Sequence, residues 1–454
     1  MIESPAPLTE AVLKVEKSLL RLTPPQALIL SFVALALLGA VLLKLPIATR
    51  EPISWLQALF TATSAATVTG FSVLDTGTHF TLFGQAVLLV LIQCGGLGLM
   101  SFGVFIIFLM RDSLTLGHRM VLSEALNQSG QSNLRRQLRW MFGFTAGMEL
   151  LGTALLAIRW VPEKGWADGI YYSFFHAVSA FNNAGFALAA DSLVAHVADP
   201  LVNIVITALF ISGGIGFVVI ADMIGKRRFR DYSLHTKLML VGTLVVNVAA
   251  MLLLLAIEYG NPKTLGALPD FGAKLWAAWF QGVAPRSSGF NTVDVAGLYP
   301  ASAVLIMVLM FIGAGSGSTA SGIKLSTFMV LVLATGAFLA ARDRPVVFGR
   351  SLDWGTMLKA MAISCIAMLG VLIGIFLLVL TETGAFLDLA FEAVSAFGTV
   401  GLSRGATARL SEAGQAIVIA LMLIGRVGPL TLAFLFANRH HAPIQYPAGQ
   451  VNIG

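Results

Sequence analysis

The stretch Phe60-Thr61-Ala62-Thr63-Ser64-Ala65-Ala66-Thr67-Val68-Thr69-Gly70 returns three more times in altered form. The later copies end in Asn182-Asn183-Ala184-Gly185, Arg286-Ser287-Ser288-Gly289 and Gly398-Thr399-Val400-Gly401. Each copy has an aromatic residue ten positions before its glycine: Phe60, Phe175, Trp279 and Phe391. The glycines recur at a period of roughly 110 residues, and a period this regular marks one structural unit repeated. Each copy lies between two long apolar stretches. Four such segments around one axis would present backbone carbonyls and small polar side chains to a pore. Oxygen dipoles arranged in this way replace the water shell of a monovalent cation.

The rest of the composition agrees with a membrane location. Of 454 residues, 57% are hydrophobic and 11% charged, with a mean hydropathy of +0.84. Soluble domains carry about 25% charged residues, so a water-soluble globule is excluded. Apolar stretches long enough to span a bilayer fall near 26–46, 80–110, 140–158, 200–224, 237–257, 300–335, 357–381 and 413–437. The expected fold is an all-α membrane protein. Four membrane–pore-loop–membrane repeats are arranged pseudo-fourfold around one ion pore, with a short pore helix before each filter segment. These helices are expected at Trp55 to Ser64, Ala167 to Ala180, Phe271 to Val283 and Ala385 to Ala396, too short to cross and suited to entering part-way. Asp168 and Asp388 fall in or near the first turns of two of them, where the helix dipole favours a carboxylate.

The organisation expected is a segment 1–24, repeat one at 25–110, repeat two at 111–224, repeat three at 225–340, repeat four at 341–437 and a tail at 438–454. No short apolar core with a small-residue cleavage site precedes the first span, so no cleavable signal peptide is expected. Basic residues gather in alternate loops: Arg111, Arg119, Arg135, Arg136 and Arg139; then Lys226, Arg227, Arg228, Arg230 and Lys237; then Arg342, Arg344, Arg350 and Lys359. Lys14, Lys17, Arg21 and Arg439 join them at the ends. The positive-inside rule then puts both termini and these loops in the cytoplasm. The same placement explains the net charge of +6 without any nucleic-acid partner. Cys94 and Cys365 read as small buried apolar residues and offer neither a disulfide framework nor a metal cluster.

A second repeat follows each filter glycine: Gly95-Gly96-Leu97-Gly98, Gly213-Gly214-Ile215-Gly216, Gly313-Ala314-Gly315 and Gly425-Arg426-Val427-Gly428. Glycine in a membrane helix permits close packing or bending, and the shared offset marks these as inner helices. In repeat three the interruption extends over 313–322. A polar flexible segment at membrane depth must line water or pack against protein. Gly317 to Lys324 comes close to a P-loop, but no strand precedes it and the lysine falls one place late. No catalytic spacing of Ser/His/Asp, paired carboxylates or metal ligands appears in the spans, so an enzyme is not expected. An inverted-repeat transporter is disfavoured because all four units run in one direction.

These segments, with Ser179-Ala180-Phe181-Asn182-Asn183-Ala184-Gly185-Phe186 and Ile424-Gly425-Arg426-Val427-Gly428-Pro429-Leu430-Thr431, resemble the Trk/Ktr/HKT superfamily of potassium transporters. The likeness is nearest to its Ktr-type membrane subunits and covers essentially the whole chain. The resemblance implies potassium uptake across the cell inner membrane, promoted by sodium as an activator. It also implies a homodimer in the lipid bilayer, bound to a cytoplasmic nucleotide-binding ring of the RCK type. No organic cofactor is expected. The implied filter comprises Thr67, Val68, Thr69, Gly70, Asn182, Asn183, Ala184, Gly185, Arg286, Ser287, Ser288, Gly289, Gly398, Thr399, Val400 and Gly401, with K+ held among them. The implied gate beneath it comprises Gly313, Gly315, Ser316, Gly317, Ser318, Thr319, Gly322, Lys324 and Arg426. Glycine at position 70 resembles the potassium-favouring type, since serine there accompanies sodium preference in plant relatives.

Two departures stand out: Val283 where the other repeats have Ser64, Ser179 and Ser395, and Ser321 where a second loop glycine is expected. Arg426 has two readings, a structural ion pair with Asp222 or Glu149, or a fixed charge against the gate loop. Arg286 needs a partner behind the filter, with Glu392 a candidate by position. Glu149 and Asp222 read as intramembrane carboxylates, paired or ion-coupling. His176 reads as a hydrogen-bonded packing residue.

Overall fold

The computed structural model describes residues 24–109 and 134–428. The basic residues expected at 14–21, Arg111, Arg119 and Arg439, and residues 429–437 of the eighth span, lie outside the described residues. The described residues are mainly helical, with one two-residue antiparallel hairpin (β1, Val346–Val347; β2, Arg350–Ser351) at the start of repeat four.

Repeat one runs through α1 (Pro24–Leu43), pore helix α2 (Trp55–Ala66) and α3 (Leu82–Leu109). Repeat two has α4 (Leu134–Lys164), pore helix α5 (Trp166–Phe181), α6 (Pro200–Gly214) and α7 (Phe217–Gly225). Repeat three has α8 (Leu234–Glu258), pore helix α9 (Phe271–Val283), α10 (Pro300–Phe311) and α11 (Leu325–Leu339). Repeat four has α12 (Trp354–Thr381), pore helix α13 (Phe386–Gly398) and α14 (Glu412–Val427). The four pore helices lie where the sequence places them, within two residues at each end.

Local chemistry sets the helix starts. Ser54 and Gln57 form a reciprocal capping box on α2. Asp199 caps α6 ahead of Pro200, and Asp270, Asp353 and Ser411 cap α9, α12 and α14. Among the described residues, four helices are long and apolar enough to cross a membrane, or five if the bent pair α6–α7 counts as one span. That pair turns by 97° at Ile215-Gly216, where Gly216 takes φ +102. The expected continuous span at 200–224 is therefore broken. Only glycine accepts this φ without strain, and a Cβ there would meet Ser316 O.

Packing follows the repeat. Each inner helix leans on the pore helix of the next unit: α3 on α5, α6 on α9, α10 on α13, and α14 back on α2. The fourth contact closes the ring. Phe60, Phe175 and Phe391 are fully buried in the cores around the pore helices. Trp279 is half-buried, and its Nε1 donates to Thr207 Oγ1 at 3.3 Å. The outer faces are apolar, as on α12, where Leu369, Leu372, Phe376 and Leu380 are all exposed. Such a belt is unfavourable in water and matched to hydrocarbon. Cys94 and Cys365, expected to be buried, instead lie exposed on helix faces. In a bilayer the apolar outer face and the core have similar polarity, so hydropathy cannot tell them apart.

Candidate ion filter and the loop beneath it

Each filter segment begins where its pore helix runs out of partners. The Thr69, Ala184 and Val400 N–H groups donate to the carbonyls of Ser64, Ser179 and Ser395 at 2.7–2.9 Å. In segment three, Ser288 N–H instead donates to Ala284 O at 3.0 Å, and Ser288 Oγ donates to the same carbonyl at 2.9 Å. The serine hydroxyls add further ties. Gly70 N–H donates to Ser64 Oγ at 3.1 Å, and Ser179 Oγ donates to Phe186 O at 2.8 Å. Val283 has no hydroxyl, so segment three is held from its own Ser288.

The backbone then alternates in the same way four times. The residue two before each glycine has positive φ: Val68 (57), Asn183 (60), Ser287 (73) and Thr399 (47). The glycine has it again: Gly70 (95), Gly185 (70), Gly289 (72) and Gly401 (85). The sequence pointed to the glycines alone. Positive φ at valine and threonine is strained and persists only where packing imposes it.

The segments meet in chain order. A Cβ on Gly70 would strike Ala184 O, and one on Gly185 would stand 2.8 Å from Ser288 O. One on Gly289 would strike Val400 O, and one on Gly401 would strike Thr69 O. The four glycines thus bring four strips of backbone into mutual contact around one axis. They form the floor of a cavity of about 660 Å³, whose walls include Asp75, Asp191 and Asp294.

Several filter side chains point away from the axis. Thr67 Oγ1 donates to Thr63 O at 2.7 Å and lies 2.8 Å from Thr69 Oγ1. Asn182 Nδ2 reaches behind the filter to Gln93 Oε1 (2.8 Å) and Glu149 Oε1 (3.1 Å). Glu149 is therefore paired with an amide and not with Arg426. Arg286, also buried, donates from Nη1 to Asn247 Oδ1 on α8 at 2.8 Å. It borders a cavity of about 20 Å³ that extends to Gly214 and Ala314. The expected partner Glu392 is engaged elsewhere: it accepts from Ser403 Oγ at 2.9 Å and from Thr407 Oγ1. Sequence position alone could not separate these options, because α8 and α13 both flank the third segment. His176 packs as expected, fully buried, with Nδ1 2.8 Å from Tyr172 O. Asp388 lies in the first turn of α13, where it pairs with Arg404 Nε at 2.8 Å.

Below the filter, residues 313–322 form a non-helical loop between α10 and α11. Apart from Ser316 and Gly317 the loop is buried. A turn at Ser316-Gly317, with Gly317 at φ +66, sends it back so that Ile323 N–H donates to Phe311 O at 3.2 Å. It is stitched to the break in repeat two: Gly315 N–H to Gly214 O (2.7 Å), Thr319 N–H to Gly213 O (3.3 Å) and Phe217 N–H to Gly317 O (3.2 Å). Gly95, Gly213 and Gly425 sit where a Cβ would strike carbonyls in the last turns of their own pore helices, Ala66 O, Phe181 O and Phe397 O. The inner-helix glycines are there for close approach.

Arg426 on α14 is 1% exposed. It donates to Thr319 O and Ser321 Oγ (3.2 Å) of the loop and to Gly95 O of α3 (2.6 Å). The ion-pair reading with Asp222 fails. α7 turns away after Gly216 and carries Asp222 to the basic loop, where it pairs with Lys226 Nζ at 2.6 Å. Ser321, the unexpected serine, supplies one of the arginine's acceptors. Lys324 Nζ donates to Ala320 O at 2.6 Å. The buried guanidinium, bonded to two carbonyls and a hydroxyl and lying over the Phe32 ring at 5.8 Å, joins repeats one, three and four directly under the filter.

The comparisons with known proteins agree with this architecture. The family described as TrkH, cation transport protein, matches residues 22–444. The Ktr system potassium uptake protein B of Bacillus subtilis is 50% identical over 96% of this chain and 97% of its own. The protein of the same name from Vibrio alginolyticus is 44% identical over 95% of each chain. The potassium/sodium uptake protein NtpJ of Enterococcus hirae is 36% identical over 96% of this chain and 98% of its own. The crystal structure of the potassium transporter TrkH from Vibrio parahaemolyticus superposes with a TM-score of 0.72, covering 92% of this chain and 86% of that one at 17% identity, and so shares the fold. A family match spanning the four repeats, with a relative half identical from end to end, shows that this chain belongs to the TrkH family of cation transport proteins.

Proposed function

We infer that the chain takes up potassium into the cell through the four-segment filter. The observation that carries this reading is the ring of backbone itself. Four strips with the same alternation of φ meet at Gly70, Gly185, Gly289 and Gly401 on the floor of one wide cavity. Carbonyl oxygens so placed can stand in for a hydration shell, and a side chain at any of the four glycines would occupy the path. Two relatives named as Ktr system potassium uptake proteins support potassium as the ion. The relative named for potassium and sodium uptake supports a part for sodium, as an activator of potassium flux.

The gate in this reading is the loop 313–322 with Lys324 and Arg426. It lies beneath the filter and is held by hydrogen bonds to repeats two and four, so its withdrawal is a discrete rearrangement that a partner can bias. That partner is a cytoplasmic nucleotide-binding ring of the RCK type, docked on a homodimer in the cell inner membrane. The docking face carries Lys226, Arg227, Arg228 and Arg230 from one loop and Arg342, Arg344 and Arg350 from the next. Both termini lie on that side. The test is flux from reconstituted protein with and without the regulator, in ATP and in ADP. Potassium flux that ignores both the regulator and the nucleotide would remove the regulated part of the reading.

A further inference from the structure

Of the four non-glycine filter residues with positive φ, one has its side chain bonded to the loop below. Val68 is apolar and packs toward Gly95. Ser287 Oγ donates to Gly398 O at 3.4 Å, within the filter ring. Thr399 Oγ1 is buried with no hydrogen-bond partner among the described residues. Asn183 differs. With its amide oriented to suit its surroundings, Nδ2 donates to Ala180 O (3.2 Å) and Phe210 O (2.9 Å), and Oδ1 accepts from Thr319 Oγ1 at 3.2 Å. Asn183 is 2% exposed and Thr319 1%, so neither can exchange this bond for water while the loop stays in place.

Thr319 is also where the other restraints on the loop converge. Its N–H donates to Gly213 O at 3.3 Å, and its carbonyl accepts from Arg426 Nη1. One residue therefore touches filter segment two, the bend of inner helix two and the buried arginine of inner helix four. Because Asn183 holds a strained backbone conformation two residues before Gly185, the groups that fix its side chain also fix the aim of the carbonyls beside it.

We propose that Thr319 is a specificity-positioning residue: through Asn183 it holds the second filter segment in the shape that favours potassium over sodium. This rests on the reading of the chain as a potassium pathway. It goes beyond a gate that only obstructs, since loop position and filter shape then share one free-energy coupling. The coupling is reciprocal, so the ion resident in the filter also biases the loop.

Thr319→Val removes the hydroxyl at nearly constant shape, and Thr319→Ser keeps it. The measurement is potassium and sodium flux into vesicles containing the purified full chain without regulator. The expected result is a potassium-to-sodium ratio at least about fivefold lower in Thr319→Val, the lower end of ordinary coupling factors, and restored in Thr319→Ser. Asn183→Ala should lower the ratio as far, and the double variant no further than either single change. A Thr319→Val protein with raised flux but the wild-type ratio overturns the proposal while leaving the gate in place. Additive losses in the double variant also overturn it. If the unmodified chain itself shows no preference for potassium, the functional reading fails and the inference with it.

Discussion

Arg426→Ala tests the gate at its most buried charge. In the structure the guanidinium holds the loop at Thr319 O and Ser321 Oγ and braces against Gly95 O. Charge-assisted hydrogen bonds are each worth about 1.5–3 kcal/mol, so the two to the loop contribute roughly 3–6 kcal/mol gross. Water entering the vacated volume would satisfy the freed acceptors, and loss of a buried, carboxylate-free cation is itself favourable. The net destabilisation of the closed loop is then about 1–3 kcal/mol, or roughly 5- to 150-fold in the closed-to-open ratio. Potassium flux from vesicles without regulator should rise, and the difference between ATP- and ADP-bound regulator should shrink. Arg426→Lys keeps a charge but not the fork of donors, so it should fall between wild type and alanine. An Arg426→Ala protein with wild-type basal flux and wild-type nucleotide response would refute the argument and leave the arginine a purely structural tie.

Other changes test other parts of the account. Gly70→Ser puts a Cβ against Ala184 O at φ +95, a strain of about 1–3 kcal/mol, so the potassium-to-sodium flux ratio should fall by roughly tenfold; an unchanged ratio would exclude Gly70 from the site. Deleting residues 314–320 joins Gly313 to Ser321, which already touch, so the protein should fold, insert and conduct more; unchanged flux in a folded deletion would count against the loop as an obstruction. Arg404 pairs with Asp388 at 2.8 Å and donates to the carbonyls of Val295, Leu298 and Ala296, so Arg404→Ala should cost about 2 kcal/mol and lower the thermal midpoint in detergent, while a wild-type midpoint would show the latch to be dispensable.

Much of this arrangement is written in the sequence because glycine is hard to replace where backbones touch. The aromatic-to-glycine spacing marks the four backbone segments that meet at Gly70, Gly185, Gly289 and Gly401, and the amphipathic stretches before them mark the short helices. The run 313–322 announced a break in an apolar span. What stayed hidden depends on contacts between distant parts of the chain. Nothing in Val68, Ser287 or Thr399 signals a positive φ, which is imposed by the ring they complete; of the four, asparagine at 183 alone is a residue type that readily adopts it. The partner of Arg286 was Asn247, from a helix whose apolar pattern gave no hint that one polar residue faced inward. Asp222 read as intramembrane until the bend at Gly216 moved it to the basic loop. Ser321 looked like a departure and proved to be an acceptor for Arg426.

The central claim is that four backbone segments select a dehydrated potassium ion. Its most direct test is flux into vesicles holding the purified chain alone, with potassium, rubidium and sodium compared under the same gradient. Potassium and rubidium are expected to pass and sodium to pass less, with that order weakened by Gly70→Ser. Equal passage of all three ions, or sodium ahead of potassium, would contradict it.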